Sequence, residues 1–285
     1  MNKIIAYSLS DFADGYASEK WDFGLLHDTF ARNSITVKDV KTLPRCDRAF
    51  VIVPGFEWSS HMDDLNRQLK KIKRVVLFIT ADEVGVMDVD KIQHPNIEIW
   101  VQYPYQKHRA YNLMPVGSPS QIHDLIPKEI IKDKTLFFSG QNTHPRRNQL
   151  ISAIEKMDDS LYNATAGFTQ GYPAKDYYAE MTKARIVPAP AGAASIDTFR
   201  FYEGLESLAI PIADEVSRRG DAYGFWDLVF NEIPVPKAND WEKDLESIVK
   251  HLLGDYNKYM HRAVSWWIKY KRDFSLKVME QINEG

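Results

Sequence analysis

The chain has almost no cysteine, since Cys46 is the only one among its 285 residues. One thiol cannot form an internal disulfide or a cysteine-based zinc cage, so we expect a reducing compartment. The chain also lacks a long apolar run. The first residues, MNKIIAYSLSDFADG, hold a short apolar stretch that Ser8 and Asp11 already interrupt. A signal peptide needs a longer apolar core, and a membrane span needs roughly 20 apolar residues. We therefore expect a soluble, cytoplasmic protein with no membrane span.

An excess of charge of one sign is missing as well. The sequence has 36 Lys and Arg against 39 Asp and Glu, a formal net charge of −3. No global basic field indicates nucleic acid or an acidic membrane, although a local basic patch is compatible with this total. The apolar fraction of 44% and the charged fraction of 26% are typical of a globular protein. The length suits one large domain or two domains of ordinary size.

Several familiar catalytic motifs are absent from the sequence. It contains no G-x-S-x-G, Walker A or G-x-G-x-x-G motif, so the usual marks of hydrolases, P-loop enzymes and dinucleotide-binding enzymes are lacking. The eight histidines show no paired metal-ligand spacing. Asp88-Val89-Asp90 is a D-x-D triplet of the kind that can hold a divalent metal, but this triplet is common by chance and lies in a polar turn. We predict no metal site and no cofactor.

Short apolar runs alternate with amphipathic stretches along the whole chain, which predicts an α/β fold with largely parallel strands. The predicted strands are Lys3–Tyr7, Ser34–Val37, Ala49–Val53, Val75–Thr80, Ile97–Val101, Thr135–Ser139, Arg185–Pro188 and Ile210–Ala213. The predicted helices are one around Trp21, Leu25 and Phe30, then Met62–Ile72, Arg146–Met157, Pro173–Lys183, Asp197–Ser207 and Trp241–Leu253, and a long helix after Asp255. Pro54–Ser60 is predicted to be a loop.

The segment from Tyr103 to Pro127 is rich in Tyr, Pro, Gly and Ser and has no sustained periodicity. It is the best candidate for a linker between domains. We therefore predict a first domain over residues 1–125 and a second over residues 126–255.

The stretch Ile186–Asp214 is the most informative in the sequence. A predicted strand ends in a loop of small residues, and a helix then begins with three polar residues, Ser195, Asp197 and Thr198. The unpaired N–H groups of such a helix N-terminus suit a diphosphate. Arg200 and Glu203 are three residues apart and share a helix face. A carboxylate there can bind both hydroxyls of a ribose, and the arginine can contact a phosphate. The alternative is a surface ion pair that contributes only a few tenths of a kcal/mol.

Two further arginines begin the predicted helix after the strand Thr135–Ser139. Cations oppose the helix dipole at an N-terminus. Arg146 and Arg147 therefore point to a bound anion, and the alternative is an exposed helix start.

Several elements together resemble the donor-binding segment of exostosin-like and related GT-B glycosyltransferases. That segment has an aromatic-rich helix ending in M-x-x-A-R, a strand with proline, a small-residue loop, S/D-x-x-R-x-x-E-x-L and a short x-I-P-V strand. The matching residues here are Tyr177, Tyr178, Met181, Ala184, Arg185, Asp197, Arg200, Glu203, Leu205 and Ile210–Pro211–Ile212. Residues 137–150, FFSGQNTHPRRNQL, resemble the family's strand–Gly–loop–Arg element. The similarity spans roughly Thr135 to Glu215, and more faintly Val75–Gly117.

The resemblance implies a GT-B architecture, in which two Rossmann-like domains flank a cleft. It implies that a nucleotide sugar, with UDP as the expected nucleotide, binds the second domain. The C-terminal helix 256–285 would then join the first domain, which receives the acceptor. Glu203 would bind the donor ribose, and Arg200 with Arg146 or Arg147 would neutralise the diphosphate. The expected donor-binding residues are Ser139, Gly140, Arg146, Arg147, Asp197, Thr198, Arg200 and Glu203.

The sequence departs from the family pattern at Ser195. Many retaining GT-B enzymes carry two glutamates seven residues apart, and Ser195 stands where the first would be. This favours inversion, which needs a general base beside the acceptor hydroxyl. Asp82 is the first candidate, because it follows a buried strand whose carboxyl end would face the cleft. Its position is also loosely similar to that of the base in phage DNA glucosyltransferases. The other acceptor-side candidates are Glu83, Glu57 and Asp11.

Three hypotheses remain for what the protein acts on. Its compact length, the expected lack of a membrane anchor and the similarity to phage DNA glucosyltransferases favour 5-hydroxymethylcytosine in double-stranded DNA as the acceptor. The location would then be the host cytoplasm. The first alternative is a saccharide acceptor, as in exostosin-type enzymes. The second is a nucleotide-binding module that catalyses no reaction.

Overall fold

A computed structural model describes residues 4–9, 23–165, 167, 170–218 and 224–284. The chain divides into two compact units. Unit 1 comprises Met1–Val116 and Tyr270–Gly285, and unit 2 comprises Gly117–Lys269. Each unit has one sheet of parallel strands together with helices, which is compatible with a Rossmann-like arrangement. In the part of the chain that the structure describes, no helix is long and apolar enough to cross a membrane.

Unit 1 is built on a six-stranded parallel sheet in the order β2-β1-β3-β4-β5-β6. The strands are β1 (Ile5–Leu9), β2 (Thr36–Val40), β3 (Cys46–Pro54), β4 (Ile72–Thr80), β5 (Ile97–Gln102) and β6 (Asn112–Met114). Its helices are α1 (Gly24–Arg32), α2 (Gly55–Trp58) and α3 (Met62–Leu69), with short 3₁₀ helices at Val89–Lys91 and Gln106–His108.

The central strands of unit 1 are buried on both faces. The segments 49–53 and 75–79 are fully buried, as the near-continuous apolar runs of central parallel strands require. On one face the rings of Phe30, Phe50 and Phe78 pack with centroids 5.3–6.0 Å apart. Leu65 and Leu69 of α3, one helical turn apart, belong to a separate buried cluster with alternate residues of β3 and β4. The alternation of side chains along each strand explains the two clusters.

Unit 2 has a five-stranded sheet in the order β11-β10-β9-β7-β8, also parallel. Its strands are β7 (Lys134–Gln141), β8 (Ser160–Thr165), β9 (Ala184–Ala189), β10 (Ile210–Asp214) and β11 (Lys237–Ala238). Its helices are α4 (Ile122–Leu125), α5 (Pro145–Ile154), α6 (Ala174–Lys183), α7 (Phe199–Glu206), α8 (Phe225–Phe230) and α9 (Trp241–Gly254).

The last helix, α10 (Tyr256–Asn283), is divided between the units, up to Lys269 in unit 2 and from Tyr270 in unit 1. In unit 2, Trp267 packs on Tyr202 with ring centroids 4.9 Å apart. In unit 1, Phe274 packs edge-on against Trp100 at 4.8 Å. Large aromatic side chains therefore tie each part of the helix to its own unit.

The predicted α/β class with parallel strands is confirmed, but several local predictions are wrong. The predicted loop Pro54–Ser60 contains α2, and the predicted helix Met62–Ile72 ends at Leu69 because β4 begins at Ile72. The boundary between the units, at residues 116 and 117, does fall within the proposed linker, residues 103–127, but this segment also contains β6, which pairs with β5. Strands β8 and β11 and helix α8 were not predicted. β8 lies at a sheet edge and none of its six residues is buried, so it lacks the apolar run of a buried strand.

Candidate functional site

The candidate donor site of unit 2 lies where strand order reverses. The chain goes from β7 outward to β8 and then returns to β9 on the other side of β7, so β7 and β9 are paired neighbours. Ligands of open parallel sheets bind at the carboxyl ends of the strands beside such a switch point. Ser139 and Gly140 lie near the carboxyl end of β7, and the loop 190–198 follows the carboxyl end of β9.

Arg200 lies across the end of β7. Its Nη2 donates a hydrogen bond of 2.6 Å to the carbonyl oxygen of Ser139, and its guanidinium stands 5.0 Å from the ring centroid of Phe138. A Cβ at Gly140 would lie only 2.8 Å from Nη2 of Arg200. Glycine at this position therefore allows the close approach of the guanidinium to the strand.

Arg147 joins the ends of β7 and β9. Its Nε donates to the carbonyl oxygen of Ala191 at 3.3 Å, and its Nη1 donates to that of Gln141 at 2.9 Å. The side chain is buried. Burial lowers the pKa of Arg147, and the positive charge of Arg200 lowers it further.

Among the described residues, no carboxylate forms an ion pair with Arg147 or Arg200. The charge of Glu203 acts on Arg200, and that of Asp214 acts on Arg147, beyond ion-pair distance. The Nε of Arg200 is buried and has no hydrogen-bond partner. Two neighbouring, partly desolvated cations repel one another, so an anion between them would be strongly stabilised.

Glu203, one helical turn after Arg200, is buried and held by two tyrosines. Tyr177 donates to Oε2 at 2.9 Å, and Tyr178 donates to Oε1 at 2.7 Å. Burial raises the pKa of Glu203, while the charge of Arg200 and the two tyrosine hydrogen bonds oppose this. Burial and the charge of Glu203 raise the pKa of both tyrosines, so both stay protonated donors. The alternative of a surface ion pair is wrong, because Glu203 is only 2% exposed and forms no ion pair with Arg200.

Arg146 lies in a different network from its neighbour in sequence. It forms a two-pronged ion pair with Asp214, which is fully buried, and its Nη1 donates to the carbonyl oxygen of Asn239 at 2.7 Å. The structure therefore associates Arg147, and not Arg146, with Arg200. The sequence had left the choice between them open.

Asp214 was missed by the sequence analysis. Besides Arg146 it accepts hydrogen bonds from the backbone N–H of Ala191 at 2.9 Å and from Nε1 of Trp241 at 3.1 Å. It thus fixes the start of the loop after β9, whose Ala191 carbonyl receives Arg147. The available signal was an acidic residue at the carboxyl end of a buried strand.

The loop 190–198 is closed by local hydrogen bonds. Gly192 N–H donates to the carbonyl oxygen of Ser195 at 2.7 Å, and Asp197 N–H donates to the hydroxyl of Ser195 at 3.0 Å. The carboxylate of Asp197 accepts a hydrogen bond of 2.6 Å from the hydroxyl of Tyr202. The carboxylate of Asp197 is therefore engaged within the fold, and helix α7 begins at Phe199, two residues later than predicted.

Two buried polar atoms near this loop have no hydrogen-bond partner. They are Oγ1 of Thr198, the N-cap residue of α7, and Nδ1 of His144, the N-cap residue of α5. Nε2–H of His144 donates a hydrogen bond of 3.0 Å to the carbonyl oxygen of Ala191, so Nδ1 of the neutral ring is an acceptor. Burial is the main cause that lowers the pKa of His144. An unsatisfied buried polar group costs about 1–3 kcal/mol, which a polar ligand can recover.

The predicted acceptor-side acids of unit 1 lie near the carboxyl ends of β3 and β4. Asp82 is buried and accepts the backbone N–H groups of Val86 and Met87, both at 2.9 Å, so it organises the loop that follows β4. Glu57 is half-buried in α2, and Glu83 is exposed. The candidate Asp11 lies outside the described residues.

His108 shares the sheet edge with Asp82 and was also missed. Its Nδ1 accepts the N–H of Tyr105 at 3.1 Å, and its Nε2 is buried without a hydrogen-bond partner. Burial lowers the pKa of His108, and the negative charges of Asp82 and Asp90 oppose this. The sequence offered no signal, because His108 lies in a stretch without periodicity.

Comparison with known proteins does not identify the function of the site. No protein-family model matches the chain, and the search of curated proteins finds no significant match.

Proposed function

We propose that the protein is a glycosyltransferase that binds a nucleoside-diphosphate sugar in unit 2. The observation that carries the proposal is the pair Arg147 and Arg200, two close guanidinium groups at the switch point of the sheet that form no ion pair with any of the described residues. A diphosphate carries the charge and the acceptor oxygens that such a pair requires. In this proposal the two units correspond to the domains of a GT-B enzyme, and UDP is the expected nucleotide.

The site residues have distinct roles in this proposal. Glu203 accepts hydrogen bonds from the donor ribose through the lone pairs that Tyr177 and Tyr178 leave free. The hydroxyl of Thr198 and the first turn of α7 contact the diphosphate, as helix N-termini commonly do. Arg146 keeps a structural role through Asp214.

The reaction is a transfer with inversion at the sugar's anomeric carbon. The acceptor hydroxyl oxygen forms a bond to that carbon while the bond from the carbon to the diphosphate oxygen breaks. The hydroxyl proton passes to a general base, for which Asp82 stays the prediction. The diphosphate leaves with the bonding electron pair, and Arg147 and Arg200 stabilise the charge that develops on it.

We further propose 5-hydroxymethylcytosine in double-stranded DNA as the acceptor, in a cytoplasmic setting, the host cytoplasm if the protein is phage-encoded. This choice rests on the resemblance of the sequence to phage DNA glucosyltransferases. A saccharide acceptor is the alternative that the experiment below must exclude.

The test is to incubate the protein with a panel of nucleotide sugars and measure the release of free nucleoside diphosphate. Unmodified DNA, hydroxymethylated DNA and oligosaccharides serve as acceptors. Arg147→Gln and Arg200→Gln should each weaken UDP binding about 10- to 100-fold, since a hydrogen bond to a charged group contributes about 1.5–3 kcal/mol. Arg272→Gln is the matched control, because Arg272 is exposed and pairs only with its neighbour Asp273.

The outcomes separate the hypotheses. Turnover with hydroxymethylated DNA and with no other acceptor supports the full proposal. Turnover with oligosaccharides would show that the acceptor is a saccharide and not DNA. UDP binding that depends on Arg147 and Arg200, without turnover of any donor, indicates a nucleotide-binding module. If the wild-type protein binds no nucleoside diphosphate, the proposal is refuted.

A further inference from the structure

A second cationic region lies in unit 1, in a pocket with a volume of about 670 Å³. Its charged lining consists of five cations and one carboxylate, namely Arg45, Arg67, Lys70, Lys71, Lys91 and Asp63. The whole chain carries a net charge of −3. Positive charge is therefore concentrated in this pocket, which we call the amino-edge pocket, in a protein that is slightly acidic overall.

The pocket lies at the amino ends of the strands. Arg45 directly precedes β3, Lys70 and Lys71 directly precede β4, and Lys91 lies in the connection that leads to β5. Because the strands are parallel, Asp82 at the end of β4 lies at the opposite edge of the sheet. The pocket is thus separate from the predicted acceptor-side acids.

One wall of the pocket is rigidly built. Asn66 of α3 is buried, and its side-chain amide donates to the carbonyl oxygen of Lys91 at 3.0 Å. Its side-chain oxygen accepts the N–H of Gln93 at 2.8 Å. This brace ties α3 to the connection between β4 and β5, so the shape of the pocket does not depend on the cations that line it.

Four of the five lining cations are only weakly engaged by the protein itself, and the fifth, Lys71, donates to the side-chain oxygen of Gln68 at 2.8 Å. Arg67 pairs with Asp64, and Lys91 pairs with Asp88 at 3.2 Å, and both basic side chains are more than two-thirds exposed. Exposed pairs of this kind contribute about 0–1 kcal/mol and are readily exchanged. Arg45 and Lys70 have no ion pair within the described part of the chain.

The chemistry of the lining selects phosphate groups and not bases. No aromatic side chain lines the pocket, so no surface is offered for stacking a nucleobase. Long, exposed Lys and Arg side chains neutralise several phosphates at once without reading sequence. An open pocket of this kind suits a continuous row of phosphates.

We propose that the amino-edge pocket binds the phosphate backbone of double-stranded DNA independently of its sequence. The choice of DNA over another polyphosphate rests on the proposed function, whereas the phosphate chemistry rests on the pocket. DNA would be held by unit 1 at a place remote from Asp82.

The test measures binding of a fluorescent 20-base-pair duplex by anisotropy over a range of salt concentrations. In the double variant Arg45→Gln/Lys70→Gln, affinity should fall about tenfold or more, and the slope of log K against log salt should become shallower by about 2. The matched control is Lys250→Gln/Lys258→Gln, which removes the same charge from exposed positions in unit 2. It should leave the slope unchanged.

Several results would overturn the inference. One is a wild-type protein that does not bind the duplex, and another is an equal loss in both double variants. A third is a pocket variant that loses binding of inorganic tripolyphosphate but still binds DNA like the wild type. UDP binding separates this inference from the proposed function. The pocket variant should bind UDP normally, and Arg200→Gln should lose UDP while it keeps the duplex. If neither the wild type nor any variant binds UDP, the proposed donor site is refuted, and the duplex measurements alone then decide whether the pocket binds DNA.

Discussion

Replacing Gly140 with alanine perturbs the candidate donor site at one atom. The new Cβ would lie 2.8 Å from Nη2 of Arg200, 3.4 Å from its Cζ and 3.4 Å from the ring of Phe138. A contact below 3.0 Å is not tolerated, so the guanidinium must move. Gly140 does not have a positive φ, so alanine adds no backbone strain of its own.

The expected loss of UDP affinity follows from the interactions that the guanidinium of Arg200 loses. Displacement breaks the 2.6 Å hydrogen bond from Nη2 to Ser139 and moves the charge away from the expected diphosphate. A hydrogen bond to a charged group is worth about 1.5–3 kcal/mol, so affinity for UDP should fall about 10- to 100-fold. The free energy of unfolding should fall as well, by up to about 3 kcal/mol, because the same displacement breaks the hydrogen bond to Ser139 within the protein.

Calorimetric titration with UDP measures the affinity, and urea unfolding measures the stability. Gly254→Ala is the matched control, since it makes the same chemical change where no atom lies within 4 Å of the new Cβ. The variant Gly140→Ala binding UDP as tightly as Gly254→Ala would refute the assignment of Arg200 to the donor.

Three further predictions concern stability and its pH dependence. Burial raises the pKa of Glu203 above its unfolded value, so the stability this group contributes is lost as pH rises through that pKa. Tyr178→Phe removes a hydrogen-bond donor from this buried carboxyl and should cost about 1–3 kcal/mol in urea unfolding, and the cost should grow as pH rises because the hydrogen bond is stronger to an ionised carboxyl. A cost that falls as pH rises would contradict this. Asp214→Asn leaves the buried Arg146 without its counter-charge and should cost about 3–5 kcal/mol in the same assay, and a loss below about 1 kcal/mol would show that the pair is not structural. Burial lowers the pKa of Lys132 to about 7 while it donates to two backbone carbonyls. The unfolded chain then binds more protons above that pH, so stability should rise from about pH 7 to about pH 10.5. The variant Lys132→Met should lose this rise, and an unchanged profile would exclude Lys132 as its source.

Much of the fold was predictable where the signal is local. Residues 49–53 and 75–79 are apolar runs, and they form the buried centres of β3 and β4. Pro173 was expected to open a helix, and it is the N-cap residue of α6. By contrast β6, a three-residue strand, carries too few residues for a pattern and exists only because β5 offers it hydrogen bonds.

The candidate site was predictable in its residue types and less so in its geometry. The spacing of Arg200 and Glu203 placed them on one helix face, as the helix period requires. The burial of Glu203 was not foreseen, because it depends on Tyr177 and Tyr178, which lie on another helix. Buried contacts of this kind join segments far apart in the chain and leave no local pattern.

The order of apolar and polar residues by itself determined that this protein is α/β with parallel strands. A buried strand and a helix buried on one face each require a characteristic spacing of apolar residues, and this spacing is visible in a short stretch of sequence. It also brought out the cluster of arginines and one glutamate around the end of β7. Only the tertiary structure decided which arginine pairs with a buried carboxylate and which one lies beside Arg200. Arg146 and Arg147 are adjacent in the chain, but a helix turns about 100° per residue, so their side chains leave in different directions. Arg146 meets Asp214, 68 residues away, and Arg147 meets the ends of β7 and β9 beside Arg200.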